Sequence, residues 1–224
     1  MDATPASFIW TVDITAPMGS LSINAGSAYA DTVVVSLTLN ATDTNGVSQM
    51  QLSNDNITWS NPEAYVTTRT WTLSSGDGLK TVYAKFKDTA GNWSSPPVYS
   101  QIVLDTTLPT GSISINNGLT YTNNPTVTLT LSCSDSSSGC SQMQFSNDNT
   151  NWSTPENYVS TKTWSLTSGN GTKTVHVKFK DVANHWSSQS NDTIVLDTEP
   201  PVGIISIYSG TSYIYTNNID HQKL

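Results

Sequence analysis

The chain repeats itself. Ser48-Gln49-Met50-Gln51-Leu52-Ser53-Asn54-Asp55-Asn56 returns as Ser141-Gln142-Met143-Gln144-Phe145-Ser146-Asn147-Asp148-Asn149, and Ile102-Val103-Leu104-Asp105-Thr106 returns as Ile194-Val195-Leu196-Asp197-Thr198. Asp13, Asp105 and Asp197 mark a period of 92 residues. Self-similarity at a fixed period means that one unit solves the folding problem and the chain restates it. Ninety-two residues lie within the range of an independent domain, so each copy can hold its own core. Residues 14–105 and 106–197 are complete copies. Residues 1–13 read as the last strand of a preceding copy, with Trp10 and Val12 where Ile102 and Leu104 stand. Residues 198–224 read as the start of a third: Pro201, Gly203, Ile205, Ile207, Tyr213 and Asn217 match Pro109, Gly111, Ile113, Ile115, Tyr121 and Asn123. The expectation is an excerpt from a longer array, with any secretion signal and anchor lying outside it.

Within a copy the apolar residues alternate, the mark of half-buried strands. Leu21 and Ile23 share a face, as do Val33, Val35, Leu37 and Leu39; Met50 and Leu52; Trp71 and Leu73; Val82, Ala84 and Phe86; and Ile102 and Leu104. The second copy keeps this phase at Val127, Leu129 and Leu131, at Val175, Val177 and Phe179, and at Ile194 and Leu196. Asp43-Thr44-Asn45-Gly46, Ser75-Gly76-Asp77-Gly78 and Ala90-Gly91-Asn92 punctuate the runs as turns. No window sustains a helical period. The expectation is all-β: two tandem immunoglobulin-like, fibronectin type III-like sandwiches with partial repeats at both ends. Pro17, Pro109 and the Pro200-Pro201 pair fall between copies and stiffen the linkers.

Ser, Thr and Asn make up 85 of 224 residues, which alone would suggest disorder. Seven Trp, nine Tyr and the alternating Val, Ile and Leu residues argue the other way. A net charge of −8 argues against nucleic acid, whose phosphates need a basic footprint. No run of about 20 apolar residues could span a membrane in this segment.

The run from Ser48 to Trp59, the Gly76–Lys80 turn, Phe86-Lys87-Asp88-Thr89-Ala90-Gly91-Asn92 and the closing Leu104-Asp105-Thr106 resemble tandem bacterial immunoglobulin-like repeats. The resemblance covers residues 14–197 and touches both end segments. It implies a large secreted, cell-wall or outer-surface protein, hence an extracellular or cell-surface location. It also implies a structural or adhesive spacer whose partners are neighbouring repeats of the same chain. The second copy departs from the pattern at Val182-Ala183-Asn184-His185, where loss of a glycine is expected to reshape the turn.

Cys133 and Cys140 are the only cysteines, and the first copy has Ala41 and Val47 in their places. Cysteines that appear as a pair and vanish as a pair suggest a disulfide clamping the loop between the second and third strands, in an oxidising compartment. Two buried free thiols are the alternative.

Catalysis lacks its residues. His176 replaces an outward tyrosine and His185 sits in a turn, each without the companions of a zinc site or a Ser-His-Asp triad, so solvent exposure is the expectation. The Gly-x-Gly turns at Gly76–Lys80 and Gly169–Lys173 lead into strands, whereas a phosphate loop must open a helix. No cofactor is implied, save calcium as follows. In an immunoglobulin-like sandwich the entry to the first strand and two of the loops lie at one end. Those places hold Asp13, Asp43 and Asp88 in the first copy and Asp105, Asp135 and Asp181 in the second, with Asn92 and Asn184 nearby. Each trio would meet where one sandwich abuts its predecessor, and calcium takes six to eight such oxygens. The competing reading is that Asp suits turns because it hydrogen-bonds its own backbone.

Trp59, Trp93, Trp152 and Trp186 lie beside turns. An exposed ring there could stack on sugar, which makes a carbohydrate- or receptor-binding module the alternative to the spacer. A buried ring would cap one end of the sandwich. Lys85, Lys87, Lys178 and Lys180 form outward stripes, expected to be a solvated face that also discourages strand pairing.

Overall fold

The computed structural model describes residues 11–205. Trp10 and the third-copy residues from Ile207 onward lie outside the described residues, and residues 11–17 and 197–205 run without strand. The alternating runs form two modules of eight strands each. The first contains β1 (Met18–Ile23), β2 (Tyr29–Ala30), β3 (Val34–Thr42), β4 (Val47–Ser53), β5 (Glu63–Ala64), β6 (Thr68–Thr72), β7 (Gly78–Asp88) and β8 (Val98–Leu104). The second contains β9 (Thr110–Ile115), β10 (Tyr121–Thr122), β11 (Thr126–Ser134), β12 (Cys140–Ser146), β13 (Glu156–Asn157), β14 (Thr161–Ser165), β15 (Gly171–Asp181) and β16 (Ser190–Leu196).

In the first module a three-stranded sheet in the order β1-β3-β6 faces a five-stranded sheet in the order β2-β8-β7-β4-β5. The second repeats the plan as β9-β11-β14 and β10-β16-β15-β12-β13. Among the described residues all pairings are antiparallel except β2 with β8 and β10 with β16, where a two-residue strand crosses to the partner sheet and runs parallel. This is an immunoglobulin-like, fibronectin type III-like β-sandwich, present twice.

Alternation places Val35, Leu37 and Leu39 of β3 opposite Met50, Leu52, Val82, Ala84 and Phe86. Val127, Leu129, Leu131, Met143, Phe145, Val175, Val177 and Phe179 form the second core. Burying one such side chain contributes about 1.5–3 kcal/mol. Each core is pinned by a tyrosine that joins the two sheets. Tyr65 sets its ring edge-on to Phe86, at 5.8 Å between centroids, while its hydroxyl accepts from Ala41 N and donates to Leu39 O. Tyr158 does the same to Phe179, Cys133 N and Leu131 O. The phenylalanines also demand glycine beside them. A Cβ on Gly19 would come within 2.5 Å of Phe86 Cε2 and 2.7 Å of Asn40 O, and Gly111 sits against Phe179 and Ser132 O in the same way.

Four Trp-Ser pairs follow one rule. Ser60 N donates to Leu52 O and Leu52 N donates to Ser60 Oγ, so a turn is latched to a strand by one serine. Ser94 latches to Phe86, Ser153 to Phe145 and Ser187 to Phe179 by the same two bonds. Each latch lays the preceding tryptophan on the outer face of the five-stranded sheet.

Candidate functional site

The end of each module at which its linker enters is built by three segments: the linker into the first strand, the β3–β4 or β11–β12 loop, and the turn after β7 or β15. In the first module one carboxylate oxygen each from Asp13, Asp43 and Asp88 lies within 4.8 Å of the others. Neutral amides crosslink the trio. Asn45 Nδ2 donates to Asp13 Oδ2 at 2.6 Å, and Asn92 Nδ2 donates to Asp13 O at 3.0 Å and to Asp88 Oδ2 at 2.7 Å. Burial pushes the Asp88 carboxyl up, but the Asn92 side chain and the backbone N–H groups of Asn92, Gly91 and Ala90 outweigh it and hold the group below the usual carboxylate range.

The second module assembles a different set. One oxygen each from Asp105 and Asp181 and a ring nitrogen of His185 lie within 4.8 Å of one another. Asp135 lies outside that group, because its Oδ1 accepts from the N–H groups of Ser137, Ser138 and Gly139 in its own loop. This loop carries one residue more than Asp43–Gly46, and three of its backbone N–H groups hold the Asp135 carboxylate where Asn45 N holds that of Asp43. His185 is not the exposed turn residue expected. Its side chain is 19% exposed and its Nδ1 stands 3.0 Å from Asp181 Oδ2. His176 is half-buried as well. The turn itself is not reshaped: Asn184 has a φ of 83°, the left-handed conformation that Gly91 holds at 105°. Asn184 therefore occupies the place of Gly91, and His185 occupies that of Asn92.

The linker is also held from the first module's side. Asp105 is fully buried, and its N–H donates to Ala30 O. Asp77, in the β6–β7 turn, accepts from Thr106 N at 2.9 Å, Thr106 Oγ1 at 2.8 Å and Thr107 Oγ1 at 2.6 Å. The hydroxyls of Thr107 and Thr106, with the Thr106 N–H and a lesser contribution from Ser137 of the next module, lower its pKa against the opposing effect of burial. In the second module Asn170 accepts from Thr198 N and Oγ1 in the same way.

Cys133 and Cys140 form a disulfide across the β11–β12 loop, with their Cα atoms 6.3 Å apart. The four turn-side tryptophans neither cap the sandwich ends nor stand open. Lys85 Nζ lies 4.4 Å from the Trp59 ring centroid and 5.2 Å from that of Trp93; Lys178 lies 4.6 Å from Trp152 and Lys180 5.8 Å from Trp186. The lysine stripe is thus packed on indole rather than merely solvated. It runs along central strands β7 and β15, so it guards no sheet edge.

No family model matches the chain, and no curated protein matches it. Among solved structures the chain is similar to the fibronectin(III)-like modules of CbhA from Clostridium thermocellum, with 17% identity over 79% of this chain and 93% of that one, at a TM-score of 0.46. It is similar to a region of a 1.5-MDa bacterial ice-binding adhesin, with 15% identity over 86% of this chain and 68% of that one, at a TM-score of 0.47. It is similar to the D00-D0 domain of intimin, with 13% identity over 80% of this chain and all of that one, at a TM-score of 0.37. These are immunoglobulin-like and fibronectin type III-like modules, and bacterial adhesin repeats stand among them.

Proposed function

We infer that the chain is a pair of non-catalytic spacer modules from a longer extracellular repeat protein, holding other domains at a set distance and orientation. The observation that carries this reading is the linker. Asp105 is buried at the junction, bonded to its own module, while Asp77 grips the two following threonines. A linker that only tethered two domains would leave these groups in water, because free rotation needs no fixed hydrogen bonds. Several fixed bonds over three residues restrict bending instead. The oxygen-only set of Asp13, Asp43 and Asp88 suits calcium, and we assign that ion to the first junction. A glycan-binding role through Trp59, Trp93, Trp152 and Trp186 is the less favoured reading, because ammonium groups already lie over rings that a sugar would need.

Backbone NMR relaxation tests the spacer. Residues 18–104 and 110–196 are expected to share one rotational correlation time and one diffusion tensor. Independent tumbling of the two modules would overturn the reading.

A further inference from the structure

The two junctions use the same three segments and close them differently. At the first, every inward carboxylate has a neutral donor from Asn45 or Asn92. At the second, His185 replaces Asn92, and the loop that carried Asn45 reads Ser136-Ser137-Ser138. Asp105 is 0% exposed; its Oδ1 accepts from Thr107 N at 3.1 Å, and among the described residues its Oδ2 has no hydrogen-bond partner. A buried acceptor without a donor is costly, and more so when it is charged. Beside it the equally buried Asp181 accepts from His185 N at 2.8 Å and faces His185 Nδ1 at 3.0 Å.

We propose that Asp105, Asp181 and His185 form a site for one divalent cation of the zinc class, a site that the first junction does not have. An imidazole nitrogen and two carboxylate oxygens suit zinc, cobalt or nickel, whereas calcium and magnesium prefer oxygen alone. Zinc holds nitrogen and oxygen ligands at about 2.0–2.2 Å, so the three atoms must draw together from within 4.8 Å by small side-chain rotations. The double positive charge balances the two aspartates and supplies the partner that Asp105 Oδ2 lacks. Water fills the remaining position. Asp105 ends the first module while Asp181 and His185 belong to the second, so the ion joins the two. The inference stands on this cluster alone and does not need the spacer reading.

The test is a cobalt(II) titration of the untagged, disulfide-intact chain, read by visible absorption and calorimetry. One equivalent is expected to bind, to be displaced by zinc, and to resist millimolar calcium. His185→Asn is expected to weaken cobalt binding by roughly tenfold or more. That substitution restores the residue of the first copy, so folding is retained, and a thermal melt checks it. Asp105→Asn must weaken binding too, which supplies a second arm should the first variant misfold. Absence of uptake, uptake unchanged by His185→Asn (which would put the ion on His176 or His221), or displacement by calcium would each overturn the proposal.

Discussion

Two modules with one topology close their linker ends in two different ways. The first closes on amides: Asn45 and Asn92 bridge Asp13 and Asp88. The second closes on a disulfide and an imidazole: Cys133–Cys140 staples the longer loop, and His185 meets Asp181. Sheet order, register, pinning tyrosine and Trp-Ser latches are common to both. These differences lie at the end where the linker enters, where local chemistry can change without disturbing either core.

The largest way to break this comparison is to give the second module the first module's residues. Cys133→Ala with Cys140→Val is expected to cost the second module about 2–3 kcal/mol, since the staple limits the unfolded chain. Denaturant unfolding should show the first module unmoved. Equal stability in the double variant would mean that the staple is not a stabilising difference. Next come the glycines, which should behave alike. Gly19→Ala and Gly111→Ala each force a methyl into a phenylalanine ring and a carbonyl, for about 2 kcal/mol apiece. A clear disparity between them would show that the two cores are packed less alike than their contacts indicate.

Calcium sharpens the contrast. At ten times its dissociation constant it should stabilise the first module by about 1.4 kcal/mol, and Asp13→Asn should remove that gain. An unchanged melt against chelator would leave Asp13, Asp43 and Asp88 as turn formers. The smallest effect concerns acid. Asp55 Oδ1 accepts from Ile57 N, Thr58 N and Ser53 Oγ, bonds that hold its pKa at about 2. Asp148 is lowered further, chiefly by the Asn151 side chain and then by the N–H groups of Asn151 and Thr150. A carboxylate depressed in the folded state adds stability that is fully present above its unfolded pKa near 4 and is lost as pH falls through its folded value. Asp55→Asn should therefore destabilise the first module at neutral pH, with the difference fading between about pH 4 and pH 2. Asp148→Asn should keep its deficit to lower pH in the second module. A deficit independent of pH would contradict the hydrogen-bonded turn.

Much of this was legible in the chain. The period exposed two modules, and alternation at Val35, Leu37 and Leu39 or at Val82, Ala84 and Phe86 announced the buried faces. Cys133 and Cys140 announced themselves by their joint absence from the first copy. The two-residue strands β2 and β5 escaped notice, because two residues carry no period and only the neighbouring sheet makes them strands. His185 escaped because a histidine in a turn with no histidine or cysteine near it in sequence reads as solvent-exposed, and only the fold brings Asp181 and Asp105 to its ring. The tryptophans escaped for another reason. Their position depends on the serine that follows each of them, and a Trp-Ser pair shows its meaning only when the hydroxyl finds a strand amide. Orphaned Asp105 Oδ2 leaves no trace in sequence at all, since it records a donor that is missing.

The most direct test of a fixed junction is a distance distribution between spin labels placed at exposed Ile57 and exposed Val159, one in each module. A single narrow peak is expected in the parent chain, and a broadened one when Asp77→Ala frees Thr106 and Thr107. A distribution already broad in the parent, or one that Asp77→Ala leaves unchanged, would contradict it.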